Sequence, residues 1–247
     1  MLYIDFLKRY STPDLEVRKW LHLRRQLSPN AKIRLPNNYF NMSISYHTDS
    51  AIYLPYDQLS EITSQTPRDQ IWSDREIQMQ INKKQRLALQ IVSHCNAPSG
   101  RDLITEQLQN LIELDVFGNC NSKSCDDACY QRELESHFFY LAFENMVCPQ
   151  YVTEKFWNAL RSLVVPVVLN RSVLNGTGIP DNVYIAADDF DCVQALADFL
   201  TALLVISIGP KSTVGNGTTQ NHRHFANCAK LRTNKCKRIR TEFKRCN

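Results

Sequence analysis

The sequence predicts an α/β fold with a parallel sheet. Two stretches, residues 91–120 and 138–170, each fit a strand, a loop, a helix and a second strand in that order. Helices are expected between five strands, which lie near Ile91, Val116, Phe139, Val167 and Tyr184. Strands that alternate with helices predict crossover units, in which neighbouring strands run parallel. Ligands of such sheets bind beyond the carboxyl ends of the strands, so the site is expected there.

The later stretch gives the clearest elements. Phe138 to Phe143 is a short continuous apolar run, as expected for a strand that is buried on both faces. Thr153 is the predicted N-cap of a helix whose first turn holds Glu154 and Lys155. An apolar stripe at helical spacing follows, made of Phe156, Trp157, Leu160 and Leu163. The next strand is predicted from Val164 to Leu169, and the helix N-terminus before it offers free N–H groups to a phosphate.

The earlier stretch repeats this pattern around a single arginine. Its predicted helix has an apolar side made of Leu103, Leu108, Leu111 and Ile112. Arg101 lies in the loop after the first strand, just before this helix. A planar guanidinium can hold two oxygen atoms of an anion at once, so one interpretation of Arg101 is an anion ligand. The alternative is an exposed charge near a helix start.

These motifs resemble the donor-binding signature of a known family. FYLAFEN from Phe139, YVTEK from Tyr151 and VPVVL from Val165 are similar to the α-1,3-fucosyltransferases, glycosyltransferase family 10. The resemblance implies a GT-B-like fold, with two Rossmann-like domains and a C-terminal domain that binds the donor GDP-fucose. It also implies that the donor pocket is lined by Arg101, Asn145, Tyr151, Glu154 and Lys155.

The residue types suit these implied roles. By the resemblance Arg101 and Lys155 contact the diphosphate, where a cation neutralises charge that grows on the leaving group. Glu154 is placed to accept hydrogen bonds from sugar or ribose hydroxyls. The alternative is that Glu154 and Lys155 are a solvated first turn and that Asn145 is a turn former.

A third motif, residues 40–56, resembles the family in part. It keeps Tyr46, Asp49 and Ser50, which the resemblance makes possible cleft residues. It departs from the family at His47, where a basic residue is usual, and a histidine is a poorer cation than arginine at neutral pH. We therefore expect weaker contacts from this loop to a nucleotide or acceptor.

The chain of 247 residues is predicted to have three parts. Residues 1–74 are interpreted as the remnant of an N-terminal acceptor domain with the interdomain segment, so that this domain is largely missing. Residues 75–208 form the Rossmann-like donor domain, and residues 209–247 form a loop and a basic, cysteine-containing tail. The family's catalytic glutamate belongs to a Glu-Ser-Pro motif, and the corresponding place reads AKIRLPNNYF. The catalytic base is therefore left unassigned.

No Asp-x-Asp metal motif lies near the donor segment, so we predict no metal and no cofactor other than the donor substrate. The paired acids Asp126 with Asp127 and Asp188 with Asp189 fall in predicted loops and are interpreted as hydrated. The basic tail could bind nucleic acid or an anionic membrane, but a solvated charged tail explains it equally well. No nucleic-acid partner is predicted.

Nine cysteines are many for a cytosolic chain of this length, which favours disulfides and a secretory compartment. Four N-glycosylation sequons, at Asn41, Asn170, Asn175 and Asn216, are compatible with this. The family resides in the Golgi membrane on the lumenal side, anchored by an N-terminal helix. The first 25 residues have charges every few positions and no apolar run that could span a bilayer, and residues 193–208 are predicted to form a core helix instead.

The sequence thus predicts a glycosyltransferase that moves L-fucose from GDP-fucose to a GlcNAc residue of a glycoprotein or glycolipid glycan, with inversion. Two alternatives stay open. One is a non-catalytic GDP-sugar-binding remnant of the same family. The other is a related two-domain transferase that uses a different nucleotide sugar.

Overall fold

The computed structural model describes residues 20–22, 42–59 and 62–208. The chain divides into two compact units, one ending at Pro55 and the other beginning at Tyr56. The domain boundary predicted between residues 74 and 75 falls inside the later unit and stays a prediction. The predicted tail, residues 209–247, lies outside the described residues.

The earlier unit contains a three-stranded parallel sheet. Its strands are β1 (Trp20–His22), β2 (Met42–Ser45) and β3 (Ile52–Tyr53), with β2 in the middle. Ile44 of β2 is buried, while Tyr53 at the edge is exposed.

The later unit is built on a five-stranded sheet in which every strand pair is parallel. Its strands in chain order are β4 (Arg86–Ile91), β5 (Leu114–Phe117), β6 (His137–Leu141), β7 (Val165–Val168) and β8 (Ile185–Ala186). In space their order is β5-β4-β6-β7-β8. The chain therefore moves outward from β4 to β5 and then returns to the other side of β4. The predicted α/β class with a parallel sheet is confirmed.

Five α-helices are described: α1 (Asp74–Lys83), α2 (Arg101–Gln109), α3 (Asp127–Ser136), α4 (Glu154–Arg161) and α5 (Val193–Ile208). Right-handed crossovers place α2 and α3 on opposite faces of the sheet, because the chain reverses direction between them. The packing agrees, since α2 contacts α5 whereas α3 contacts α1. Helices on both faces explain why the strands are continuous apolar runs rather than alternating ones.

The central strands are almost completely buried. Leu89 of β4 and Leu141 of β6 have no exposed surface, and Phe139 of β6 is 2% exposed. Five strands were predicted, and β4 to β8 lie at or next to the predicted positions. The prediction of a core helix over residues 193–208 is also confirmed, since Leu196 and Leu200 of α5 are fully buried.

Helix details differ from the sequence prediction in two places. On α2 the buried face is Ile104, Thr105 and Leu108, whereas Leu103 is 51% exposed. The helix ends at Gln109, so Leu111 and Ile112 lie beyond it. Helix α4 likewise ends at Arg161, two residues before Leu163, which has a left-handed backbone with φ +53°. These short helices stop earlier than an apolar pattern alone suggests.

The paired acids are not simply hydrated. Asp126 is the N-cap of α3 and accepts a hydrogen bond from the Cys129 N–H at 2.8 Å. Asp188 accepts from the Arg171 N–H at 2.8 Å, and Asp189 accepts from the Arg171 guanidinium Nε at the same distance. Each pair therefore fixes a loop or a helix end, because the free backbone N–H groups there need an acceptor.

Candidate functional site

The candidate site is a cavity of about 620 Å³ in the later unit, at the carboxyl ends of β4 and β6. Between these two strands the chain reverses direction, which is where open α/β sheets bind their ligands. The walls come from the end of β4, the start of α2, the helix α3, the end of β6 with its following loop, and α4. The lining residues are Ile91, Val92, Ser93, His94, Arg101, Asp127, Tyr130, Gln131, Tyr140, Asn145, Tyr151, Glu154, Lys155 and Asn158.

All five donor-site residues predicted from the sequence line this one cavity: Arg101, Asn145, Tyr151, Glu154 and Lys155. They come from three separate parts of the chain and meet because β4 and β6 are neighbours in the sheet. The predicted cleft residues Tyr46, Asp49 and Ser50 belong to the earlier unit, where the Ser50 N–H closes a turn on the His47 carbonyl at 3.1 Å. Their role stays a prediction.

Lys155 is held by a carboxylate that the sequence analysis did not single out. Its Nζ donates to Glu144 Oε2 and to Thr153 Oγ1, each at 3.1 Å. Glu144 follows β6 and has a side chain that is only 8% exposed. The attraction within a partly buried ion pair is screened less by salt and water than that within a surface pair. The Glu144 carboxylate therefore restricts where the Lys155 ammonium can lie. Glu144 therefore sets the position of the cation on the cavity wall.

Thr153 occupies the N-cap position of α4 as predicted, but its side chain does not cap the helix. Instead its N–H and hydroxyl both donate to Glu144 Oε1, at 3.0 and 2.6 Å. The carboxylate thus accepts from the N–H of the N-cap residue itself, the contact that a glutamate three residues into the helix makes in a capping box. A negative charge at a helix N-terminus is stabilising, because the helix dipole is positive there. This contact joins the end of β6 to the start of α4.

Arg101 is buried rather than exposed. Its side chain is 2% exposed, and it is the first residue of α2, after Gly100 with φ +71°. Its Nη1 donates to the Phe143 carbonyl at 2.8 Å and its Nη2 to the His94 carbonyl at 2.6 Å. Burial lowers the pKa of Arg101, while the carboxylates of Asp102 and Glu144 act in the opposite direction. The guanidinium ties the loop after β4 to the loop after β6.

Ser99 also holds the backbone of the loop after β6. Ser99 is fully buried, and its hydroxyl donates to the Glu144 carbonyl at 2.7 Å. Its N–H donates to the Asn145 carbonyl at 3.0 Å. The two residues that end the FYLAFEN motif are thereby held from the backbone side, which leaves the Asn145 side chain at the cavity.

A tyrosine pair forms another part of the wall. Tyr130 of α3 and Tyr140 of β6 pack edge to face with ring centroids 6.4 Å apart. Burial raises the pKa of both phenols, that of Tyr140 well above its usual range. Asn158 of α4 donates to the Tyr130 hydroxyl at 3.4 Å. Neither tyrosine was predicted from the sequence, although Tyr140 is the one hydroxyl-bearing side chain in its apolar run.

A glycine permits the close approach of two loops at the cavity. Gly118, directly after β5, has φ +106°, and a Cβ at this position would lie 2.0 Å from the Val92 carbonyl oxygen. Val92 lines the cavity and its N–H donates to the Phe117 carbonyl at 3.0 Å. A side chain at residue 118 would thus force the loops after β4 and β5 apart.

Disulfides surround the same region, as the cysteine content predicted. Cys95 is bonded to Cys120 and Cys125 to Cys129, and Cys148 and Cys192 are disulfide-bonded as well. Cys95 follows His94, and Cys129 lies in α3 beside Tyr130, so the bridges Cys95–Cys120 and Cys125–Cys129 both adjoin cavity residues. The three remaining cysteines lie outside the described residues.

Over residues 20–22, 42–59 and 62–208, no cluster of three or more His, Cys, Asp or Glu side chains has an arrangement that could hold a metal ion. In the same ranges, no helix combines the length and the apolar character that crossing a bilayer requires.

Comparison with known proteins decides the family. The sequence model of glycosyltransferase family 10 (fucosyltransferase), C-terminal part, matches residues 81–205, just over half of the chain. The chain belongs to glycosyltransferase family 10. This match contains every residue that lines the cavity, and it confirms the resemblance drawn from the three motifs.

Among family 10 relatives, the chain is 32% identical over 176 residues to alpha-(1,3)-fucosyltransferase C of Drosophila melanogaster, which covers 66% of this chain and 41% of that protein. It is 34% identical over 188 residues to 3-galactosyl-N-acetylglucosaminide 4-alpha-L-fucosyltransferase FUT3 of Bos taurus, with 75% and 49% covered. The chain spans half or less of the length of these two relatives.

The fold is also that of family 10. A crystal structure of an alpha1,3-fucosyltransferase with GDP-fucose superposes with a TM-score of 0.52, covering 89% of this chain and 68% of that one at 16% identity. A second, with GDP, gives a TM-score of 0.51 at 18% identity. At these identities the likeness shows the fold alone, and it confirms the predicted GT-B-like class.

Proposed function

We propose that the cavity binds GDP-fucose and that the protein transfers L-fucose from it, with inversion, to a GlcNAc residue of a glycoprotein or glycolipid glycan. The observation that carries this proposal is the meeting of Arg101, Asn145, Tyr151, Glu154 and Lys155 in one cavity at the switch point of a family 10 sheet. The volume of about 620 Å³ falls within the range of about 300–1,000 Å³ that is usual for ligand sites.

The charges of the cavity suit a nucleoside diphosphate. Lys155 and Arg101 bring two cations to the wall, and α4 begins at Glu154 with its N-terminus on the same side. Two backbone carbonyls already orient Arg101 and three side-chain oxygens orient Lys155, so little reorganisation is needed when an anion arrives. Glu154 has a side chain that is 61% exposed, which leaves it accessible to hydroxyl groups of a ribose or a sugar.

In the proposed reaction the acceptor hydroxyl oxygen attacks the fucose anomeric carbon from the face opposite GDP. The bond between that carbon and the β-phosphate oxygen breaks, and its electron pair remains on the diphosphate. Lys155 and Arg101 stabilise this developing charge. Electrostatic stabilisation of the transition state is usually the largest single contribution to an enzymatic rate enhancement. The hydroxyl proton passes to a base that we do not assign to a residue.

The same proposal places the protein on the lumenal side of the Golgi membrane. Two observations support this location: the family, and the disulfide bonding of every cysteine within the described residues. Disulfides persist in oxidising compartments and are rare where glutathione keeps thiols reduced.

Lys155→Ala tests the site. We expect GDP affinity to fall more than tenfold, since a charge-assisted contact contributes about 1.5–3 kcal/mol. The measurement is calorimetric titration of GDP into purified full chain. Lys83→Ala is the matched control, because Lys83 is exposed at the end of α1 and lies outside the cavity. Equal affinity in Lys155→Ala and in the control would contradict the assignment.

Fucose transfer from labelled GDP-fucose to N-acetyllactosamine and to N-glycan acceptors tests the activity. Transfer that Lys155→Ala abolishes would establish a fucosyltransferase. GDP binding without transfer would support the alternative, a non-catalytic GDP-sugar-binding remnant. Tighter binding of UDP or CMP than of GDP would contradict the donor proposed here.

A further inference from the structure

Two N-glycosylation sequons follow β7 within eight residues: Asn170-Arg171-Ser172 and Asn175-Gly176-Thr177. Their surroundings differ sharply. We propose that Asn175 is an N-glycosylation site and that Asn170 is not. The proposal depends on passage through an oxidising, secretory compartment, and it does not depend on the fucosyltransferase activity.

Asn175 lies on an exposed turn. It ends the short 3-10 helix Arg171–Leu174, and its N–H donates to the Ser172 carbonyl at 3.3 Å. Asn175 and Gly176 are both exposed, and Gly176 turns the chain with φ +78°. Within the part of the chain that the structure describes, no hydrogen bond to the Asn175 side chain is present. A sugar on its Nδ2 therefore extends into solvent and displaces no contact.

The residues after Asn175 keep this turn in place. The Thr177 hydroxyl donates to the Leu174 carbonyl at 2.7 Å, and the Ile179 N–H donates to the Thr177 oxygen at 3.3 Å. Val173 and Leu174 are buried beneath the turn. The turn is thus anchored from below while its outer side stays open, which is the arrangement that a bulky surface glycan needs.

Asn170 is committed to the fold instead. Its Oδ1 accepts from the Ser172 N–H at 2.9 Å and from the Ser172 hydroxyl at 2.5 Å, so two residues of the sequon are bonded to each other. Arg171 between them is paired with Asp189 and Asp181. Asn170 also borders a small enclosed space beside Val168 and Leu169. A glycan there would disturb the N-cap of the 3-10 helix.

The chemistry is a group transfer with a defined co-reactant, a lipid pyrophosphate-linked oligosaccharide. A bond forms between Asn175 Nδ2 and the anomeric carbon of the first sugar, and the bond from that carbon to the pyrophosphate oxygen breaks. The electron pair leaves with the lipid pyrophosphate, and the amide gives up one proton to the transferase that catalyses the step. The host's secretory pathway supplies both the co-reactant and this transferase.

The glycan would not obstruct the donor cavity. None of residues 170–178 is among the residues that line it. The loop adjoins the site where the Gln150 N–H, next to Tyr151, donates to the Val173 carbonyl at 2.7 Å. Enzymatic removal of the glycan should therefore leave GDP affinity unchanged within about twofold, as expected for a surface change away from the binding residues.

The test is peptide mapping of the full chain after secretion from eukaryotic cells, with release of the glycans by an amidase in heavy-oxygen water. That release converts a glycosylated asparagine to labelled aspartate. We expect the label at residue 175 and not at residue 170. Folded protein with an unmodified Asn175, or with a glycan on Asn170, would overturn the proposal. The sequons at Asn41 and Asn216 lie outside the described residues and give separate peptides.

Substitutions in the two sequons test the same assignment by glycan mass, and a second pair of variants covers the case in which one variant folds poorly. Asn175→Gln should lose the mass of one glycan, whereas Asn170→Gln should lose none. If Asn175→Gln is poorly secreted, Thr177→Ser and Thr177→Ala replace it: the former keeps the sequon and its glycan, and the latter removes both. Equal glycan mass in Thr177→Ser and Thr177→Ala would contradict the assignment.

Discussion

At the scale of single residues, one of the two cations of the cavity, Lys155, depends on a carboxylate that does not line the cavity. Glu144 accepts from Lys155 Nζ with one oxygen and from Thr153 with the other. Four of the five cavity residues that were predicted lie in the motifs FYLAFEN and YVTEK, and the fifth, Arg101, begins the helix of the earlier stretch. Glu144 lies in FYLAFEN too, but its role depends on a contact with a residue 11 positions away that forms only when β6 and α4 meet.

Glu144→Gln tests this positioning role. Glutamine has one carbonyl oxygen: if this oxygen accepts from Thr153, the NH2 group faces Lys155, and if it faces Lys155 it is an uncharged acceptor. In both orientations the ion pair is lost, so the ammonium loses its fixed place. We expect GDP affinity to fall about fivefold, the effect of about 1 kcal/mol of lost preorganisation. Calorimetric titration gives the affinity, and the melting temperature shows whether the fold is retained.

The control for Glu144→Gln is Glu113→Gln, the same change in a carboxylate that pairs with Arg86 outside the cavity. It should leave GDP affinity unaltered. If Glu144→Gln binds GDP as tightly as the control or more tightly, the carboxylate merely opposes the cation and does not position it.

Gly118→Ala tests the close approach of the loops after β4 and β5. The new Cβ would meet the Val92 carbonyl at 2.0 Å, and φ +106° is unfavourable for any L side chain. We expect a loss of more than about 2 kcal/mol in the free energy of unfolding, measured by denaturant titration. Gly178→Ala is the control, because φ is +75° but nothing lies within 4 Å, and its cost should be about 1 kcal/mol. Similar losses in both variants would contradict the steric account.

At the scale of elements, one lysine joins the ends of two helices. Lys84 is buried, and its Nζ donates to the Leu134 carbonyl of α3 at 3.1 Å and to the Ser162 carbonyl after α4 at 3.3 Å. A cation at helix C-termini is favourable because the dipole is negative there. Its burial has the opposite effect on the charged form and lowers the pKa of Lys84 to about 8.

This pKa gives a dependence of stability on pH with a defined sign. Between pH 8 and 10.5 the unfolded chain binds more protons at Lys84 than the folded protein does, so its contribution to the free energy of unfolding rises with pH. We expect a rise on the order of 2 to 3 kcal/mol across this window, relative to Lys84→Met. Denaturant titrations of both proteins at several pH values measure it. A constant difference between them would contradict the lowered pKa.

Strand positions could be predicted from the sequence because burial on both faces makes each strand a continuous apolar run. Helix ends could not be predicted in the same way. The apolar pattern continues past the end of α2 through Leu111 and Ile112, and past α4 through Leu163, although the hydrogen bonding stops before them. Thr153 marks an N-cap by residue type and lies at that position, but its hydroxyl donates to Glu144 instead of accepting from the helix N–H groups.

At the scale of the whole molecule, the disulfides Cys95–Cys120 and Cys125–Cys129 differ in the length of the chain segment that each one closes into a loop. Cys95–Cys120 spans 25 residues, and Cys125–Cys129 spans 4. A longer loop loses more chain entropy when it is closed in the unfolded state. Removing the first bridge by Cys95→Ala with Cys120→Ala should therefore cost about 3.5 kcal/mol of stability, against about 2 kcal/mol for the second.

Denaturant unfolding of the two double variants measures this difference, and each serves as the control for the other. A larger loss on removal of Cys125–Cys129 would show that the bridge beside α3 acts through the native state rather than through chain entropy. GDP titration of the same proteins would then show whether the adjoining cavity wall has changed.

The strand order of the later unit has a consequence for biosynthesis. Among the strands of this sheet β4 is translated first, but both of its partners, β5 and β6, follow it in the chain. Arg86 of β4 is paired in register with His137 of β6, 51 residues later. No hairpin can form in an all-parallel sheet, so no local pairing protects the apolar strand β4 as it leaves the ribosome. Contacts this distant in sequence form slowly. Nascent β4 must therefore remain an unpaired, aggregation-prone strand until β5 has been translated, since Ala88 pairs with Leu114, 26 residues later. The other edge of β4 stays open until β6 follows, an interval in which chaperones are expected to bind it.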